Sequence, residues 1–390
     1  MASLAPLELL PSWRVADAIP GSLEVAVVER DWRALDCPAE VARWDALAQW
    51  AAEPNPFYES WALLPALRAF DPAGKVRLLC LEAGGQLAGV LPVRGNARYY
   101  GHPLPHWSNW LHANAFLGAP LVAQGFENAF WRAMLEWTDR RAGPNAFLHL
   151  AQMPLDGPMF VALREVLEGQ DRPAALVNRY ERAMLRSELS PVQYFEQSLS
   201  PKRRKELRRR EKRLAEQGEL VVERHTDAAG MDGWIEEFLA LERAGWKGLA
   251  GSALASQAGT EEMFRDMMHG ASVRGRLERL TLRLDGRAIA ILTSFVAPPA
   301  AFGFKTAYDE SFASSSPGVH LQREFLAVLD RADIAWCDSC AAPDHAMIDH
   351  FWRERRSIGG ISAAIGGPLR HALFRGIARI ETGRFPGALA

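Results

Sequence analysis

Gly85-Gln86-Leu87-Ala88-Gly89-Val90-Leu91 has a counterpart in Gly286-Arg287-Ala288-Ile289-Ala290-Ile291-Leu292, an offset of 201 in a chain of 390 residues. Each segment is the second arm of an expected hairpin. Val76–Glu82 and Gln86–Val93 meet at Gly84-Gly85, and Leu277–Leu284 and Ala288–Val296 meet at Asp285-Gly286. Solenoid repeats run to roughly 20–50 residues, so an offset of half the chain fits one domain written twice instead. At about 100–200 residues per domain the length agrees with two. The expected units are residues 1–188 and 189–390.

The elements around each hairpin repeat as well. In the first half, a strand over 23–34 is followed by helices over Cys37 to Trp50 and Phe57 to Phe70, then the hairpin. After it come a strand over Asn114 to Val122, a helix over Glu127–Arg140, a strand over Phe147–Leu150, a helix over Gly157–Glu168 and a strand over Ala174–Arg186. The second half is expected to run as a helix from Pro191 to about Glu216, a strand over Glu219–Arg224, and helices over Met231–Ala244 and Glu261–Val273. The hairpin follows, then Ala301–Tyr308 (strand), Pro317–Ala332 (helix), Ile334–Asp338 (strand), Asp344–Arg355 (helix) and Ile358–Ile365 (strand). This is the element order of the GNAT acyltransferase fold. The expected class is therefore α/β with a mixed sheet, as two tandem GNAT-like domains. Fold alone does not fix function.

Charge is unevenly spread. The whole chain carries −2, but Lys202 to Arg213 holds nine basic and two acidic side chains, leaving −9 on the rest. A run this dense repels itself unless an anion or an acidic surface is near. It could attract cofactor phosphates, an anionic membrane or, less favourably, the backbone of a tRNA; alternatively it is a solvated helix supported by Glu206 and Glu211. Four cysteines (Cys37, Cys80, Cys337, Cys340) are too few for a disulfide scaffold, and Met1 to Ser22 lacks a basic start, so a reduced, cytoplasmic setting is expected. His345 follows Cys340 too closely for a zinc finger, and no metal is expected.

Three further segments carry chemistry. Ser316-Pro317-Gly318-Val319 reads as a helix start whose free amides suit a pyrophosphate. It follows a strand ending Lys305-Thr306-Ala307-Tyr308-Asp309, whose amides could polarise a thioester carbonyl while Lys305 binds an anionic group. No such Gly-rich start precedes Phe130, so the second half is the expected donor site. Glu242 and Gly245-Trp246-Lys247-Gly248 could line a pocket, or simply end a helix. Asp338, Ser339, Asp344 and His345 follow the fifth strand, or merely cap a polar loop. The candidate catalytic groups are Glu242, Asp309, Asp338 and Tyr308. Lys305, Thr306, Ala307, Ser316, Gly318 and Val319 are candidates for the donor, and Trp246, Lys247, His345 and Arg204 for the acceptor side.

These segments resemble the CelD/BcsL family of GNAT-type acyltransferases. The likeness is carried by Ser198-Leu199-Ser200 before the basic run, Leu241-Glu242, Gly245 to Gly248, Phe304-Lys305, Tyr308-Asp309, Ser316 to Gly318, Asp338-Ser339 and Trp352 to Arg356. It implies transfer from acetyl-CoA or another acyl-CoA to an amine or hydroxyl, in cellulose or exopolysaccharide biosynthesis. The FemABX peptidyltransferases share the implied double architecture and use aminoacyl-tRNA as donor. A non-catalytic scaffold in a polysaccharide synthesis complex is the third reading.

Overall fold

The computed structural model describes residues 25–345, 347–387 and 389. Met1 to Ser22, read above as lacking a leader, lies outside the described residues. The first half runs β1 (Val25–Asp31), α1 (Trp32–Leu35), α2 (Pro38–Gln49), α3 (Ser60–Phe70), β2 (Arg77–Ala83), β3 (Gln86–Asn96), β4 (His106–Asn109), β5 (Leu121–Val122), α4 (Glu127–Arg140), β6 (Phe147–Pro154), α5 (Pro158–Gly169) and β7 (Ala174–Leu185). The second runs α6 (Pro191–Ser198), α7 (Pro201–Ala215), β8 (Leu220–His225), α8 (Met231–Ala244), α9 (Trp246–Leu249), α10 (Ala258–Val273), β9 (Leu277–Leu284), β10 (Arg287–Ala297), β11 (Ala300–Tyr308), α11 (Pro317–Phe325), β12 (Trp336–Asp338), β13 (Glu354–Ala364) and α12 (Pro368–Thr382).

The repeated hairpins match in backbone detail. Gly84-Gly85 and Asp285-Gly286 both have positive φ at each turn residue, the requirement of a type I′ turn. Each hairpin then carries a bulge one step in, at Ala88 against Leu81/Glu82 and at Ile289 against Arg283/Leu282. These two bulges are also 201 apart.

Both halves share one mixed sheet, in the order β1-β2-β3-β4-β6-β13-β7-β12-β11-β10-β9-β8, with β5 beside β3. The order is palindromic about β13 and β7. Each half's last strand has crossed into the other: β13 pairs with β6 of the first half, and β7 with β12 of the second. The two exchanged strands pair antiparallel from Glu354↔Met184 to Ala363↔Ala174. In each half the fourth and fifth strands are parallel and pair only briefly: β4 with β6 at Trp107↔Leu148 and Ser108↔His149, and β11 with β12 from Ala300↔Trp336 to Phe302↔Asp338. Beyond those pairs the strands diverge, so each half holds a fork.

The halves are also packed face to face. Trp61 meets Phe295 edge-on at 4.8 Å, and Gly270 lies against Trp61 so closely that a Cβ there would stand 2.9 Å from the Trp61 Cβ. Buried aromatic area of this kind stabilises by on the order of 2–3 kcal/mol per side chain.

Four expectations need correction. Asn114 to Val122 is not a strand; the fourth strand is His106–Asn109, and only Leu121–Val122 pairs later. The apolar residues of 115–120 are buried because the segment plugs the first fork. Gly118 donates to Gln152 O, and Asn109 Nδ2 donates to both Gly118 O and Ala151 O. The expected helix from Pro191 to Glu216 is two helices, because Ser200 caps α7 with Pro201 in its first position. Asp344–Arg355 forms turns, not a helix, among the described residues, and Glu354 already belongs to β13. Lastly, α12 was not anticipated at all.

Candidate active site

The second fork is empty where the first is filled. It opens because of two local events on β11. Gly303 touches the partner strand so closely that a Cβ would stand 2.6 Å from Ser339 O. The next residue, Phe304, is an extra one bulged opposite Thr293/Ser294, which turns β11 away. The outer edge of β11 then has no partner strand. Asp309 N donates to Ile289 O on the β10 side, so by strand alternation the Tyr308 and Thr306 amides face the gap.

A cavity of about 530 Å³ occupies this fork, walled by β10, β11, α9, α11, the 339–352 segment and Phe116 from the first half. Four residues of its wall, Ser294, Gln322, His345 and Trp352, each carry a polar atom that is buried away from the cavity and has no hydrogen-bond partner among the described residues. Native proteins rarely leave such groups unsatisfied, since each costs about 1–3 kcal/mol.

Lys305 stands on the wall with its Nζ 2.7 Å from Asn114 Oδ1 and over the rings of Phe304 and Phe116. Asn114 and Phe116 belong to the plug of the first fork, so that segment both closes its own fork and furnishes the other. Burial, with Lys247 nearby, lowers the Lys305 ammonium to about 8. It is still mostly protonated at neutral pH. Burial and Lys247 likewise lower His345, so its imidazole is neutral there. Tyr308, Thr306, Trp246 and Lys247 also line the cavity.

The three candidate carboxylates do not line it. Glu242 is buried, pairs with Lys247 at 2.8 Å and accepts from Leu254 N at 2.7 Å, which fixes the 245–254 loop. Asp309 accepts from Ser311 N and pairs with Arg287, and this holds its carboxyl low against the opposing effect of burial. Asp338 is fully buried between Arg182 (2.6 Å) and Arg356 (2.9 Å), while its other oxygen accepts from Cys340 N. Arg356 continues to Glu53 at 2.7 Å, and Arg182 to Phe116 O at 2.8 Å. This tetrad, two residues from each half, fixes the end of β12 at the root of the fork. Glu53 and Arg182 were missed because isolated charges far apart in sequence carry no spacing signal, and Arg356 was noted only as part of the Trp352 to Arg356 run. Arg204 is also structural: it donates to the Glu196 and Leu199 carbonyls.

The start of α11 lies against α7. Arg210 Nη1 donates to Ser316 Oγ at 2.6 Å, and Arg323 holds Glu211 through two bonds of 2.7 Å. Between the helices is a smaller recess of about 140 Å³ walled by Arg203, Arg210, Ser316, Val319, Met347 and His350 among others. Gly318 faces Met347 Sδ, and Thr306 lies just beyond it. The outer side of α7, including Lys202, Lys205, Arg208, Arg209, Lys212 and Arg213, is exposed. Ala307 is buried in the sheet.

Residues 201–346 match the acetyltransferase (GNAT) domain family. The crystal structure of FemX superposes on 87% of this chain and 98% of its own at 10% identity, with a TM-score of 0.54. A conserved protein of unknown function from Bacteroides thetaiotaomicron does so over 83% and 97% at 12% identity, with a TM-score of 0.52. A tandem GNAT protein from the clavulanic acid biosynthesis pathway covers 89% and 99% at 14% identity, with a TM-score of 0.43. No curated protein matches the sequence. The fold is thus two tandem GNAT-like domains on a common mixed sheet, and the second half carries the acyltransferase domain.

Proposed function

We propose that this acyltransferase takes its acyl group from a CoA thioester, acetyl-CoA in the simplest case, and passes it to an amine or hydroxyl acceptor. The observation that carries the reading is the fork between β11 and β12, with the cavity it holds and the free edge of β11. In this arrangement one amide of the free edge, Thr306 or Tyr308, and the Lys305 ammonium face the thioester oxygen, where negative charge develops. The acceptor nitrogen or oxygen attacks the carbonyl carbon, and the His345 imidazole takes its proton. The C–S bond breaks, and the leaving thiolate is protonated from the Tyr308 hydroxyl on the same wall. The pyrophosphate rests on the Gly318 amide at the α11 start, Val319 N being bonded to Ser316 O, with Arg210 and Arg203 beside it. Residues 189–390 then hold the chemistry. Residues 1–188 complete the site from outside, their own fork being plugged. A CoA donor places the reaction in the cytoplasm.

Isothermal titration of acetyl-CoA tests this. The intact protein is expected to bind. Gly318→Asp is expected to weaken binding roughly a hundred-fold, because it sets a carboxylate's charge beside the phosphates. Its new Cβ meets the flexible end of Met347 first, with the Thr306 methyl at 3.8 Å, an ordinary contact. No detectable binding by the intact protein would sink the reading.

A second reading has its own observation, the exposed basic face of α7 beside the α11 start, on a fold shared with FemX. In it an aminoacyl-tRNA is the donor. It requires tRNA binding whose affinity falls steeply with salt as counterions are released. The CelD/BcsL likeness alone supports an acceptor in polysaccharide synthesis.

A further inference from the structure

The last helix presents an apolar strip to solvent. α12 buries Phe374 and Ala378 against Phe147 and its neighbours. At 100° per residue, Leu369, Leu373, Gly376 and Ile380 fall within about 60° of one another on roughly the opposite face. The three large side chains there are 89%, 55% and 88% exposed, and Phe385 just beyond the helix is 66% exposed. Soluble surfaces scatter such residues singly, whereas an aligned strip of this kind marks a surface that is covered in use.

The charges around the strip say what covers it. Residues 368–385 hold four arginines and one glutamate. Glu381 accepts from the Tyr99 hydroxyl of an adjoining turn at 2.7 Å. Arg370 is spent on the Asn145 and Gly143 carbonyls. Arg375, Arg379 and Arg384 are exposed and make no ion pair among the described residues. The Arg379 guanidinium lies 4.1 Å over the Phe385 ring, which keeps the aromatic beside the cation. A second copy docked strip to strip would bring these arginines against their equivalents. An anionic lipid surface instead takes the apolar side chains between its acyl chains and the guanidiniums among its phosphates.

We infer that α12 is an interfacial helix that seats the protein on an anionic membrane. It lies on the surface and does not cross: among the described residues no helix is long and apolar enough to span a bilayer. This assigns membrane contact to α12, and α7 keeps its cations for the donor site.

Co-sedimentation of the full chain with phosphatidylcholine vesicles, with and without phosphatidylglycerol, is the test. The protein is expected to pellet with the anionic vesicles and to be released by high salt. Leu369→Glu with Ile380→Glu is expected to lower partitioning by roughly a hundred-fold. Both side chains are almost fully exposed, so the fold, read by circular dichroism, stays intact. Arg375→Glu and Arg379→Glu should each lower it about five-fold or more. Lys202→Glu with Arg209→Glu on α7 should leave it unchanged. Absence of pelleting, or an unaffected Leu369/Ile380 variant, overturns the inference. So does loss confined to the α7 variant, or a lipid-free dimer that the Leu369/Ile380 variant splits.

Discussion

Asp338→Ala is expected to remove about 3–5 kcal/mol of folding stability, the usual cost of breaking one partner out of a buried ion pair. Folded domains have only about 5–15 kcal/mol in total, so this is among the largest single effects available here. The argument rests on what remains behind. Arg182, Asp338 and Arg356 have side chains 2%, 0% and 4% exposed, and both guanidiniums bond the same Asp338 oxygen. Without that carboxylate two buried cations face each other without water. Arg356 keeps Glu53, but Arg182 keeps only the Phe116 carbonyl. Adding Arg356→Met to Asp338→Ala should therefore cost less than the two changes summed, which a denaturant-unfolding cycle would reveal. Glu53→Gln should cost far less than Asp338→Ala. Burial already pushes Glu53 up to about 7 in spite of Arg356, and one of its oxygens has no partner.

The same variant has a pH signature. Burial opposes the charge on Asp338, but the two arginines outweigh it and hold the carboxyl below its ordinary 3.8. A depressed carboxylate contributes stability that is present above the unfolded value and lost as pH falls through the folded one. The intact protein should thus lose this contribution only below pH 3.8, while Asp338→Ala shows a flatter acid limb. Equal acid sensitivity in the two proteins would count against the tetrad as a support of the fork.

What could be read from sequence divides along a physical line. The hairpins were legible because turn chemistry and alternation are local: Gly84-Gly85 and Asp285-Gly286 take the positive φ angles their residues suggest. The α11 start was legible through Pro317 at its first position, but Ser316 does not cap it: its hydroxyl accepts from Arg210 and its φ is positive. Strand exchange was not, since β7 meets β13 across 180 or so residues and nothing in either strand marks its partner. The 110–120 segment misled because a buried plug and a buried strand are both runs of apolar residues. The site divides likewise. Lys305, Thr306, Tyr308, Trp246, Lys247 and His345 all line one cavity. Asn114 and Phe116, brought from the other half, had no local signal, and the carboxylates singled out by type proved to be committed to partners.

With those carboxylates engaged, the proposed mechanism leaves His345 as the base and Lys305 as the cation at the oxyanion, and on it the rate of acyl transfer should be bell-shaped in pH. His345 must be neutral to accept a proton, and burial lowers it from 6.5, so the acid limb should lie below 6.5. Lys305 must be charged to stabilise the oxyanion, so activity should fall as pH rises through about 8. Lys305→Met is expected to cut kcat/KM on the order of 100- to 1,000-fold, the range for losing one oxyanion contact in a closed site, and to erase the alkaline limb. Lys305→Arg should restore part of the rate and keep activity flat past pH 8, because a guanidinium stays charged there. His345→Asn should erase the acid limb and cost roughly 100-fold or more. Measuring kcat/KM from acid to alkaline pH with one acceptor throughout separates the enzyme's limbs from the acceptor's own titration, which all four proteins share. An alkaline limb that survives in Lys305→Met would belong to the acceptor, and Lys305 would then be a wall residue rather than the cation of the oxyanion site.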